Sequence, residues 1–221
     1  MEVTPALVLA MWTAGMAGGA AVVSRWAIVG PGYGWLTSAI VVLVGGATAF
    51  AGGSPAGLAA TLAALAAGVV ARRHREAALL FGVACLGFLA MAFEEGGVFA
   101  AITGAILLGG MTSEMLLGHW FLVDPQLPRW ALQRLDLGAA FGLVADIALL
   151  AALGAFGADD AVMVGALAAL TVMTSLLVAA VWLSLREPGY SGVMAATGLS
   201  YLGVLTAFGV VVVGRLLILG Q

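Results

Sequence analysis

Two acidic residues, Glu114 and Asp146, and one histidine, His119, stand inside otherwise apolar stretches of this 221-residue sequence. A carboxylate with no cation beside it in such a stretch is suited to holding and releasing a proton, and an imidazole is suited to passing one on. Glu114 falls in Gly110-Met111-Thr112-Ser113-Glu114-Met115-Leu116-Leu117-Gly118-His119-Trp120. Gly110 lies four residues before it and Gly118 four after, so all three share a helix face that a second helix can approach closely. Gly138, Gly142 and Asp146 repeat the spacing. His119 occupies a different face, with Met115 and Thr112 behind it. Two further polar stripes, Thr171, Thr174 and Ser175, then Thr197, Ser200 and Tyr201, either line a path or bond their own helix carbonyls.

The elements that must carry these groups follow from composition. Hydrophobic residues make up 63% and charged residues 9% of the chain, against about 45–50% and about 25% in soluble domains. Mean hydropathy is +1.16. With 32 glycines dispersed through Leu, Val and Ala runs instead of forming a strict repeat, collagen-like and disordered classes are excluded. The expectation is an all-α, polytopic integral membrane protein. Runs of about 20 apolar residues closed by turn or charge signals predict eight spans. They run from Pro5 to Val23, Tyr33 to Ala51, Pro55 to Ala71, Ala77 to Phe93, Val98 to Val123, Leu135 to Phe156, Ala161 to Leu185 and Ser191 to Leu219. They are expected to form a single transmembrane helical bundle over residues 1–221 with no extramembrane domain. Two four-helix halves, 1–96 and 97–221, are the alternative, though the residue identities between them are thin.

Thr4-Pro5 and Ser54-Pro55 read as capping hydroxyls before a first-turn proline, and Asp159 and Asp160 as caps of the seventh span. The chain has no lysine, and Arg25, Arg72, Arg73, Arg75, Arg129, Arg134 and Arg186 all follow odd-numbered spans. The positive-inside rule then puts these loops in the cytoplasm and both termini on the other side of a cell (inner) membrane. Arg215 breaks the pattern and is expected to snorkel or to pair with Glu94, Glu95 or Asp159. Glu2 and the lack of an early cation mark the first span as retained, not a cleaved signal peptide. Cys85 reads as a small buried apolar residue, and Trp12, Trp26, Trp35, Trp130 and Trp182 as interfacial anchors.

Several chemistries are excluded. Retinal needs a lysine; a bis-histidine haem needs a second intramembrane histidine, since His74 sits in an arginine loop, which leaves a haem on His119 with a methionine, or a chlorin on His119 alone, without support in the sequence; neither HExxH nor a Walker loop occurs. Gly189-Tyr190-Ser191-Gly192 matches a rhomboid-protease string over four residues only, lacks the later histidine, and places Ser191 better as an N-cap. No cofactor is predicted. The bilayer is the partner that the composition demands, with a homo-oligomer or a membrane-complex partner compatible with it. A net charge of −3 and no basic stripe argue against nucleic acid.

Short connections favour the fifth and sixth spans as a hairpin, so Glu114 and Asp146 are expected to share one pocket, where two carboxylates cannot both ionise cheaply. With His119 as relay and Thr112, Thr174, Ser175 and Tyr201 along the path, the pattern implies a proton- or ion-coupled transporter or channel for a small solute. A non-catalytic membrane subunit holding lipid, pigment or a partner protein fits the glycine-rich helices as well. In that case the two acids are packing staples and His119-Trp120 an interfacial anchor. A third reading, a lipid-modifying enzyme using Glu114, His119, Asp124 and Asp136, requires a metal.

Overall fold

A computed structural model describes residues 4–220, the side chain of Glu95 excepted. Any pairing of Arg215 with Glu95 therefore lies outside the described residues. Capping chemistry sets the first boundaries. The hydroxyl of Thr4 accepts from the Leu7 amide at 3.1 Å, and α1 runs Pro5–Trp26. After the Gly30 cap, α2 spans Pro31–Ala51. Ser54 then accepts from the Gly57 amide at 3.2 Å and opens α3, Pro55–Val69. The remaining helices are α4 His74–Gly96, α5 Val98–Trp120, α6 Arg129–Ala152, α7 Ala161–Ser184 and α8 Tyr190–Leu219, with a single 3-10 turn at Ala155–Gly157. Asp160 caps α7 through the amides of Val162 and Met163. At α8 the cap is Gly189, so Ser191 lies inside the helix and is not the N-cap expected of it.

Among the described residues there is no strand, and seven of the eight α-helices are long and apolar enough to cross a bilayer. Leu43, Phe50 and Val162 are 75%, 82% and 82% exposed, a surface that suits lipid and not water. The chain is an all-helical, multi-pass membrane protein. The eighth helix, α3, has 15 residues, about 22 Å at 1.5 Å per residue, short of the roughly 30 Å hydrocarbon core.

Contacts group the chain into two compact units, Thr4–Ala105 and Ile106 to residue 220, with the division inside the continuous helix α5. In the first unit α1 packs on α2 and α4, and α3 also packs on α2 and α4. Its centre is built from Ala14, Met16, Val41, Ala60, Ala64 and Phe88. Gly45 leaves the space that Phe88 fills, since a Cβ there would stand 2.4 Å from the Phe88 ring. Small residues let helices meet by close packing where lipid offers no hydrophobic drive for association. Arg25, in the last turn of α1, and Arg75, at the start of α4, line the same groove. So α2 leaves that end of the unit and α3, short as it is, returns to it.

In the second unit α5 is held against α6 and α8 by glycine. A Cβ on Gly142 would lie 2.5 Å from the Leu107 amide nitrogen, and one on Gly110 would lie 2.6 Å from that of Ala139. The expected small-residue faces of α5 and α6 are thus present, except at Gly138, which meets nothing within 4 Å. This contrast yields a paired test. Gly142→Ala is expected to destabilise the protein by about 1–3 kcal/mol through forced separation of α5 from α6. Gly138→Ala should be neutral or stabilising by up to about 1 kcal/mol through helix propensity. Thermal unfolding of the two variants in one detergent checks the difference.

Candidate functional site

The register of α5 against α6 decides which acids meet. With Leu107 facing Gly142 and Gly110 facing Ala139, the antiparallel pair sets Glu114 level with residues 135 and 136. Asp146 lies ten positions further along α6, about 15 Å away by helix rise. The expected Glu114/Asp146 pocket is therefore not formed. α8 gives the same answer independently. Glu114 is bonded by Ser200 and Asp146 by Arg215, fifteen positions apart on one helix, or about 22 Å.

Asp146 is a neutralised staple. Arg215 grips it in fork geometry, Nη1 donating to Oδ2 at 2.9 Å and Nη2 to Oδ1 at 2.6 Å, with both residues 0% exposed. Two parallel, charge-assisted bonds satisfy both carboxylate oxygens. Leu150 closes the site from α6, packed where Gly214 of α8 has no side chain. Arg215 thus does not snorkel, as its place near the end of α8 had suggested; it is buried and held by Asp146.

Glu114 is differently placed. It is 1% exposed and lies six residues before the end of α5, about 9 Å. Its Oε2 accepts from the Ser200 hydroxyl, whereas its Oε1 has no hydrogen-bond partner among the described residues. The α5–α6 register sets Asp136 level with Glu114. It too is buried, with Oδ1 unpartnered among the described residues. The buried acid that the register sets level with Glu114 is Asp136, not Asp146. Sequence reasoning named Asp136 only in the metal-dependent reading and did not set it beside Glu114, because the sixth span was started at Leu135, which left Asp136 at the interface. The helix starts at Arg129, directly after Pro128, and this sinks Asp136 by about 10 Å. The proline was the available signal.

The other residues sort clearly. His119 is exposed, and its Nδ1 lies 3.5 Å from the hydroxyl of Tyr201, the neighbour of Ser200 on α8. Thr174 donates to the Leu170 carbonyl and Ser175 to that of Thr171, both at 2.8 Å. Thr197 donates to Val193. These hydroxyls are bonded within their own helices. Thr112 is buried on α5. Cys85 is half-buried, not fully buried. An open groove of about 390 Å³ between α6 and α7 is lined by Asp136, Leu137, Ala140, Ser175 and Trp182, so buried Asp136 borders it. Asp124 is occupied in its turn, accepting from the Gln126 amide at 3.1 Å. Among the described residues no three His, Cys, Asp or Glu side chains converge as metal ligands would, which leaves the metal-dependent reading without a ligand set.

The arginine end of this unit is tied by Arg129. Its guanidinium donates to the Glu187 carbonyl and to those of Pro188 and Gly189 at 2.7 and 2.8 Å, joining the start of α6 to the α7–α8 connection. Arg134 lies over the Trp130 ring at 4.7 Å and Arg186 over Trp182 at 5.4 Å.

No protein-family model matches the chain, and neither the curated proteins nor the solved structures give a match. The site is therefore argued from its own chemistry.

Truncating one partner of the Asp146–Arg215 pair leaves a buried charge uncompensated. Asp146→Leu or Arg215→Met alone is expected to cost about 3–5 kcal/mol. The double variant, which buries no charge, should recover to within about 1–2 kcal/mol of the parent. Unfolding curves for the four proteins close the cycle, and a double variant as unstable as the worse single would reject the pairing.

Proposed function

We propose that this chain is a proton-coupled transporter for a small solute, with Glu114 and Asp136 as its proton-binding pair. One observation carries the reading: the contrast between two buried acids in the same unit. Asp146 shows what a structural carboxylate looks like here, with both oxygens satisfied by a guanidinium. Glu114 has a hydroxyl on one oxygen, nothing on the other among the described residues, and a second buried acid, Asp136, level with it on α6. The unpartnered oxygen goes beyond what a packing staple requires, and its cost in a bilayer marks functional positions.

Two buried acids at one level of the α5–α6 contact give a shared place where a proton can be held. Ser200 and Tyr201 are consecutive on α8, one bonded to Glu114 and the other beside exposed His119. This connects the buried acid to the end of the unit where Arg129, Arg134 and Arg186 gather, with His119 as the relay. The α6–α7 groove brings solute to Asp136 on another side of the pair. By the positive-inside rule the arginine end is cytoplasmic and both termini lie opposite, in a cell membrane. The non-catalytic subunit reading makes Glu114 a hydrogen-bonded staple, for which the Ser200 bond between α8 and α5 speaks, while its unpartnered Oε1 favours the transport reading.

Vesicles loaded with a pH-sensitive dye and holding the protein should show proton flux under an imposed potential. Glu114→Gln and Asp136→Asn should each cut its rate at least about ten-fold, in line with the loss of a positioned acid–base group. The double replacement Asp146→Leu with Arg215→Met should leave it intact. Flux equal to the parent in Glu114→Gln would remove the proposal.

A further inference from the structure

The eight arginines of the chain are unequally employed. Arg73 pairs with Glu76 at 3.2 Å, Arg215 with Asp146, Arg129 holds three carbonyls, and Arg134 and Arg186 lie over tryptophans. Among the described residues Arg25, Arg72 and Arg75 have no such partner, and two of these three line one groove. That groove lies between the end of α1 and the start of α4. It has a volume of about 720 Å³ and is walled by Ala21, Val22, Arg25, Trp26, Arg75 and Leu79.

Its chemistry changes with depth. At the helix ends stand the two exposed guanidiniums, with Trp26 beside them where an interfacial ring belongs. One helical turn inward the walls are apolar, with Val22 and Leu79 44% and 72% exposed. Arg25 sits at the negative end of the α1 dipole, where a cation is favoured, but Arg75 sits in the first turn of α4, at the positive end. The α4 N-terminus has no side-chain cap. The one acid of that first turn, Glu76, is engaged by Arg73, so the exposed guanidiniums of Arg25 and Arg75 on the same groove are left to an anion.

We propose that this groove binds one anionic phospholipid. Its phosphate sits between Arg25 and Arg75 at the start of α4, and its acyl chains run down the apolar wall past Val22 and Leu79. The site is separate from the Glu114/Asp136 pair, and its test does not depend on transport.

The test is lipid retention by the full chain in detergent, read by native mass spectrometry with added phosphatidylglycerol or phosphatidylcholine at equal concentration. Two guanidiniums near a headgroup correspond to a preference for the anionic lipid of about ten- to thirty-fold. Arg25→Gln with Arg75→Gln should reduce retention to the zwitterionic level, while Arg72→Gln leaves it unchanged. Should the double arginine variant fail to fold, Leu79→Trp keeps both charges and fills the groove, and it too should lose the preference. Equal retention of the two lipids by the parent, or a preference that survives either groove variant, overturns the proposal. Displacement of phosphatidylglycerol by equimolar inorganic phosphate also overturns it, since that marks a free-anion site.

Discussion

The bidentate contact between Arg215 and Asp146 is what the second unit is organised around. Neither charge could remain alone at that depth, so α6 and α8 must meet there, side chain to side chain, across 69 residues of sequence. Once they meet, α5 has one slot left beside both. Glycine fits it there, Gly110 and Leu107 closing on α6 and Gly118 on Thr197 of α8. That register carries Glu114 away from the ion pair and toward Asp136. The separation of a saturated acid from an unsaturated one is therefore a consequence of packing at the opposite end of the same helices.

The first unit works on a different principle. Among its described residues no carboxylate or arginine is buried, and its helices meet through alanine, glycine and a few aromatic plugs such as Phe88 against Gly45. Hydroxyls there mostly bond their own helix, as Thr13 does to Leu9, Thr37 to Tyr33 and Thr48 to Val44. Ser38 is an exception, donating at 2.8 Å to the Ala64 carbonyl and so bridging α2 to α3. Close packing with little interhelical polar bonding suffices to hold helices together in lipid, so the ionisable groups of this unit are free to stay at its ends.

What could be read beforehand divides along physical lines. Local chemistry was legible: Thr4, Ser54 and Asp160 cap the helices they precede, because a cap depends on residues three apart. The close-approach faces at Gly110, Gly118 and Gly142 were legible for the same reason, being set by a four-residue period. Pairing between distant helices was not. Nothing in the neighbourhood of Asp146 announces Arg215, and the assumption that its acid lacked a cation led to the wrong partner for Glu114. Asp136, named beforehand only as a residue near the inner face, was misplaced by a boundary error of six residues, enough to move a side chain from interface to interior. Ser200 was noted only as one hydroxyl of a stripe, and its bond to Glu114 needed the α5–α8 register to be known.

Ser200 gives the acid site a property that the ion pair lacks. Its hydroxyl contacts two acceptors, the Ala196 carbonyl at 2.8 Å and Oε2 of Glu114, but a hydroxyl carries one proton and cannot donate to both. When Glu114 is ionised, the proton of Ser200 points to the carboxylate and the Ala196 carbonyl keeps only its helical bond. When Glu114 is protonated, it can donate to the Ser200 oxygen, and Ser200 turns its own proton back to Ala196. Both charge states of Glu114 are then accommodated by rotation of a single hydroxyl, without moving a helix. The Asp146–Arg215 fork offers no such alternative, because protonating Asp146 would strand a guanidinium in the interior. Of the two buried acids bonded from α8, only Glu114 has a partner that accommodates both charge states, and a proton carrier must visit both.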